Sequence, residues 1–294
     1  MAHTHHIKAI RRTLRREMPG TVGLIADVHD FTAMTRYRSF AFRDHTAYLR
    51  QVEGLLRSLA AQGAHTTVAL FDPDEFTAFC TSRGIDPDTA DSRTRFTAEL
   101  AAGGARVAYA GQPIVSLVPQ LIDKAARKAT WEYATLILAE AGECADCGQD
   151  IGRAAFDAAS HLLLSLLEAA GSGTHHLVCS VPVQEEQLIT VLHAHRDGSD
   201  PAHLDETDAA EFVTVLAAGI AQRGTGGLVL RTTQHGVPDQ LYGWRLQRDR
   251  LDPLTAGEVF SAYCTDAETG EPVAPESGVE YRAGFPVDQP DSHH

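Results

Sequence analysis

The chain is poor in lysine, in long apolar runs and in complete catalytic signatures, and each shortage narrows what it can be. Only Lys8, Lys124 and Lys128 carry ammonium groups; the other side-chain cations are arginines, a bias that tracks genome composition rather than arginine chemistry. The formal net charge of -14 leaves little of the clustered positive charge on which general nucleic-acid binding depends. No stretch approaches the roughly 20 apolar residues needed to cross a bilayer. The first residues also lack the apolar core of a secretory signal, so a cytoplasmic location is expected. Five cysteines, an odd number without small-scaffold spacing, fit reduced thiols rather than a disulfide framework. A phosphate loop is missing too: RGTGG (223–227) lies between a helix and a strand, the reverse of the order a phosphate cradle needs. Neither Ser160 nor Ser180 sits in a glycine-flanked nucleophile elbow, and no internal repeat is evident.

What is present is the composition of a folded protein. With 294 residues, 44% hydrophobic and 22% charged, the chain can bury two cores of ordinary size. Residues 1–20 form a first segment, in which Ile7, Ile10, Leu14 and Met18 recur at helical spacing among Lys8, Arg11, Arg12, Arg15 and Arg16. This predicts a basic amphipathic helix that docks on an acidic partner, a membrane surface or a nucleic acid, or packs on its own acidic domain.

Residues 21–142 alternate apolar runs with helical patterns. TVGLIAD (21–27), a helix carrying Leu49, Val52, Leu55, Leu56 and Leu59, and HTTVALF (65–71) predict a strand, a helix and a parallel strand. A further helical stretch leads to ARVAYAG (105–111), read as a third strand, so the expected fold is a small parallel Rossmann-like α/β layer. A long helix over 114–141, broken near Pro119, leads into GECADCGQDIG and a second helix; residues 143–172 are thus a CxxC turn and a connecting helix forming a helical hairpin. Residues 173–285 hold several strand-like runs and few helices, which predicts an antiparallel α+β domain. Residues 286–294 are polar and read as a flexible tail.

Two places invite chemistry. In open parallel sheets ligands collect beyond the carboxyl ends of the strands, and there the first strand delivers Asp27, His29 and Asp30 while the second delivers Asp72 and Asp74. Clustered carboxylates repel unless a cation or proton lies among them, and hard oxygen ligands suit magnesium or manganese. On that reading Asp27, Asp30, Asp72 and Asp74 hold the metal, with Asp27, His29 and Asp72 in catalytic roles. The same residues also read as helix caps, because aspartate at a strand exit bonds nearby amides. Asp27 and His29 resemble the opening motif of metallophosphoesterases, and LHAHR (His193, His195) resembles their closing histidine pair. The intervening glycine-aspartate and asparagine-histidine motifs have no counterpart in this sequence. Asp72 and Asp74 resemble the nucleophile and acid of haloacid-dehalogenase-like phosphatases, with the threonine displaced to Thr77 and no later lysine and paired acids in place. Neither family is assigned.

The second place is CADCG, where Cys144 and Cys147 have the spacing with which two thiolates grip one zinc ion. His161, His175, His176, Cys179 and Cys264 are the candidates for the remaining ligands; a redox pair and ordinary thiols at a turn stay open. His175, His176, His193 and His195 approach one another if their strands pair. Together these features describe a cytoplasmic binding or regulatory protein without a recognisable catalytic motif, taking a protein partner or a small-molecule ligand. The alternative is a divalent-metal-dependent hydrolase acting on a phosphorylated or nucleotide-like substrate at the acidic strand ends.

Overall fold

A computed structural model describes residues 20–184, 186–198, 200–266 and 269–289. The basic helix expected within residues 1–20 falls on positions outside the described ones, Gly20 excepted, as do residues 290–294 of the expected tail. The chain forms two compact units, residues 1–128 and 129–294. Among the described residues no helix is long and apolar enough to cross a membrane.

In the first unit the apolar run becomes β1 (Gly20–Leu24), and the chain passes through α1 (Val28–Met34) and α2 (His45–Ala61) to β2 (Thr66–Leu70). The two strands are parallel neighbours in the register Gly20↔Thr66 to Leu24↔Leu70, as the sequence predicts. The chain then runs through α3 (Pro73–Arg83) and α4 (Ala90–Gly103) into β3 (Arg106–Ala108). The expected extension of a parallel Rossmann-like layer is corrected here. β3 covers three residues of the 105–111 run and pairs antiparallel with β2, through Thr67↔Ala108 and Ala69↔Arg106. The cause lies in the connection. A parallel strand needs one crossing element, whereas α3 and α4 are both full-length and bring the chain back to the end it left.

Leu24, Met34, Leu56, Val68, Phe76, Leu117 and Leu121 are fully enclosed in this unit's core. Burying each such side chain stabilises the fold by about 1.5–3 kcal/mol. Phe71, Phe76 and Phe96 meet with ring centroids 5.0–5.6 Å apart, the offset and edge-on range that aromatic rings favour. Helix α5 (Ile114–Glu140) passes through Pro119 without interruption, correcting the expected break. That proline lies in the second turn, so its missing N–H removes one early bond of a 27-residue helix.

The second unit is built on a mixed sheet ordered β10-β8-β7-β4-β5-β6, with β9 paired to β8. Its strands are β4 (Gly173–Val183), β5 (Glu186–Arg196), β6 (His203–Leu204), β7 (Thr225–Thr233), β8 (Asp239–Gln247), β9 (Arg250–Pro253) and β10 (Val279–Tyr281). All pairings are antiparallel except β10 with β8, so the expected purely antiparallel sheet gains one parallel edge. Along β4 alternate residues Leu177, Cys179, Val181 and Val183 are buried. Toward them pack α7 (Glu206–Ala221) and, against α7, α6 (Ile151–Ala170). Helix α7 is buried continuously from Phe212 to Ile220, as expected of a helix enclosed between another helix and a sheet. Trp244 is fully buried on β8 and its Nε1–H donates to the carbonyl of Phe285 at 2.9 Å. Residues 286–289, read from sequence as the start of a loose tail, are held. The Gln289 side chain accepts from the amide of Leu251 and donates to its carbonyl, both at 2.9 Å.

Two positions in this unit test the packing. A Cβ on Gly152 would overlap the carbonyl oxygen of Leu138, so this glycine lets the start of α6 press on the end of α5. Glycine to alanine inside a helix ordinarily stabilises by up to about 1 kcal/mol. Gly152→Ala is expected to do the opposite, lowering stability by about 1–3 kcal/mol in urea denaturation, because backbone must shift to admit the methyl group. His175 is fully buried on β4, with Nδ1 beside Thr232 Oγ1 at 3.1 Å and Nε2 at 3.1 Å from the carbonyl of Gly171. Burial, more than the neighbouring His195 and Arg196, pushes its pKa below the ordinary value. A depressed histidine contributes stability in full above the unfolded-state pKa of about 6.5 and loses it as the pH falls through the folded-state value. Denaturation midpoints should therefore drop on acidification more steeply in the wild type than in His175→Gln.

Candidate functional site

The parallel register carries β1 and β2 to the same edge, and the acids that follow them lie there together. Asp27 is the N-cap of α1, its Oδ1 accepting the amide of Asp30 at 2.9 Å. Asp72 is the N-cap of α3, its Oδ1 accepting the amides of Asp74 at 2.7 Å and Glu75 at 3.0 Å. Both carboxylates thus satisfy amides that a helix start leaves without partners. Asp30 feels the convergence. Its carboxyl is pushed above the usual range first by partial burial, then by the charges of Asp27 and Asp72, while His29 pulls the other way.

Among the described residues, Asp27, His29 and Asp30 form the group whose ligand atoms all lie within 4.8 Å of one another. His29 Nδ1 stands 3.7 Å from Asp30 Oδ1, with its side chain 93% exposed. Asp72 acts on Asp30 through its charge but stands outside that group, and Asp74 offers its backbone amide to Asp72 rather than joining it. The fit to magnesium or manganese is that of an open rim. Each capping carboxylate keeps a second oxygen, and a hard cation would fill its shell with water. Thr77, matched above to a phosphatase threonine, is spent on packing: it donates to the carbonyl of Pro73 at 2.7 Å and accepts from Arg36 at 2.7 Å.

The sequence reading missed the support behind this rim. Tyr48 reaches from α2 to the end of β1, where its hydroxyl accepts the amide of Ile25 at 3.1 Å, and burial pushes its pKa up to about 12. His45 Nε2 lies 3.2 Å from the carbonyl of Ile25. Phe31, Phe40 and Phe42 pack around Tyr48 with centroids 5.0–5.8 Å away. The aromatic residues of SFAFRDHTAY were the available signal, but only the folded chain places them on one strand end.

The CxxC segment forms a closed turn between α5 and α6. Glu143 and Asp150 bridge as antiparallel partners, and the Cys144 amide donates to the carbonyl of Gln149 at 2.8 Å. The amide of Gly148 donates to the carbonyl of Cys144 at 2.8 Å. Gly148 takes φ +71°, a left-handed conformation that favours glycine, and Asp150 caps α6 through the amide of Arg153. The Cys144 thiol is held below the usual thiol range, first by the amides of Cys147 and Asp146 and then by the Cys147 side chain.

The further ligands weighed from sequence do not join it. His161 faces Asp288 at 3.2 Å, Cys264 meets the Tyr281 hydroxyl at 3.6 Å, and Cys179 is buried in the core with its thiol pushed up to about 12. Of the four histidines, one pair comes together as the strand pairing predicts and the other two do not join it. His175 points into the core, while His176 stacks on His193 with ring centroids 4.6 Å apart and His195 pairs with Asp197 at 3.1 Å.

A family model described as a domain of unknown function (DUF8829) matches residues 9–112, a span that falls within the first unit and covers less than half of the chain. No curated protein matches the chain, and no solved structure does.

Proposed function

We propose that this chain is a cytoplasmic binding or regulatory protein that engages a protein partner through the face of the second unit's sheet turned away from α7. The single observation that carries this reading is a set of cross-strand rows in register on that face. Val191, Val178 and Val229 stand side by side, flanked by His193, His176 and Arg231 on one side and by Ile189, Ser180 and Gly227 on the other. The three valines stay half-buried, and Ile189 is 52% exposed. An apolar row framed by polar and aromatic groups has the make-up of an interface centre with its rim. Arg231 is held in place by Asp239 at 2.7 Å and Glu276 at 2.8 Å, so the rim there is a fixed ion-pair triad.

Ile189→Glu tests this at little structural risk, since exposed substitutions of this kind change stability by about 0.5 kcal/mol or less. Proteins captured specifically by the wild-type chain should be lost or bind about tenfold or more weakly to the variant, measured side by side. Capture of the same partners at the same strength would remove the sheet face as the binding surface.

A second reading, a divalent-metal-dependent hydrolase acting on phosphorylated or nucleotide-like substrates, is favoured by the upward shift of Asp30 beside Asp27 and Asp72. A cation among these groups would relieve their repulsion and polarise a phosphoryl oxygen, with His29 as ligand or acid. Magnesium or manganese should then raise the thermal midpoint of the wild type and not of Asp30→Asn. Phosphatase and nucleotidase activity with either metal should fall at least about a hundredfold in Asp27→Asn with Asp72→Asn. Equal activity in that double variant would end the hydrolase reading.

A further inference from the structure

We propose that the turn spanning residues 143–150 is one half of a zinc site that a second copy of this chain completes, four sulfurs from Cys144 and Cys147 of the two copies surrounding one ion. The turn is built as a metal-chelating knuckle before any metal arrives. The backbone bridge between Glu143 and Asp150 closes it, the left-handed Gly148 folds the chain directly after Cys147, and amides of Asp146 and Cys147 are directed at the Cys144 sulfur. Amide donors of that kind offset thiolate charge, and two thiolates on one turn occupy two corners of the tetrahedron zinc prefers.

Cys147 is exposed and Cys144 half-buried, while Cys179 and Cys264 are buried elsewhere in the unit. Among the described residues no third histidine, cysteine or carboxylate gathers with the pair. A structural zinc site is closed by four protein ligands, and a two-fold axis through the ion turns one chelating pair into a tetrahedral set.

The surroundings favour a copy of this chain over an isolated metal ion. On the two arms of the hairpin, large apolar side chains stand in solvent within two helical turns of the cysteines' turn: Leu136 on α5 is 50% exposed and Phe156 on α6 is 37% exposed. A partner brought to the turn would cover them. Glu140, Glu143, Asp146 and Asp150 cluster around the same turn and a tetrathiolate zinc centre is itself dianionic, so two copies repel one another there and only shared zinc–sulfur bonds hold them together. Dimerisation should therefore require the metal and be strengthened by salt, which screens the exposed acids. In the binding step the four protonated thiols of two turns and one zinc ion give one tetrathiolate centre of charge -2 and four released protons, with no change of oxidation state.

The test uses the full chain kept under reductant and titrated with zinc or with cobalt(II) as a coloured substitute. The expected result is saturation at one metal per two chains, a visible cobalt spectrum of the four-thiolate type, and doubling of the mass measured by light scattering. Excess chelator should return the mass to that of one chain. Cys144→Ser and Cys147→Ser should each abolish metal-dependent doubling while leaving the circular dichroism and thermal midpoint of the metal-free chain unchanged. Saturation at one zinc per single chain, absence of zinc binding, or a dimer that survives chelation would each overturn the proposal. The sheet-face reading stands or falls separately, since Ile189→Glu leaves the turn intact and the serine variants leave the sheet intact.

Discussion

Every helix leaves amides without partners at its start, and this chain meets that constraint with the short acidic and hydroxyl side chains placed just ahead of its helices. Asp27, Asp44, Asp72, Thr89, Asp150, Asp205 and Thr255 each accept at least one amide from the turn they precede. Each such cap contributes about 1 kcal/mol and also fixes where the helix begins. Part of the excess negative charge is thereby placed against the positive ends of helix dipoles. The same constraint shapes the candidate site. The carboxylates that look like metal ligands at the ends of β1 and β2 are first of all caps, and whatever they hold must share them with α1 and α3.

The two units answer different physical demands. In the first, a short parallel pair is splinted by Tyr48 and an aromatic cluster, so that the strand end carrying Asp27 and Asp30 rests on a packed base. In the second, helices cover one face of a large sheet, and the opposite face keeps its in-register rows of valine, histidine and arginine. The hairpin of α5 and α6 is pressed together by the missing side chain at Gly152 and ends in the cysteine turn. Close packing behind and open polar chemistry in front is the arrangement that lets a surface group keep a fixed position at little entropic cost when something binds.

Much of the fold was legible because it is local. The buried Val52 and Leu56 of the second helix, the acidic start of α7 and the alternation along β4 follow from helical and strand periods that act over a few residues, although Leu55, read onto the same helical face, is 49% exposed. The parallel pairing of β1 with β2 followed from strand, helix and strand in order. The direction of β3 was not legible, since it depends on how two helices fold back on each other. Nor could spacing foretell that His175 would turn into the core while His176, next to it, would stack on His193 outside. Adjacent strand residues take opposite faces, and which face is inside is decided by what packs there.

By itself, then, the sequence determined the elements, their caps and the knuckle-forming spacing of Cys144 and Cys147, because all of these are set by bonds between residues a few positions apart. Only the tertiary structure decided which acids share an edge, that His161, Cys179 and Cys264 lie away from the cysteine turn, and that one face of the large sheet keeps its central side chains half-buried rather than enclosed. Those outcomes depend on closing loops of tens of residues, where the balance of burial against chain entropy is settled by the whole core rather than by any one segment.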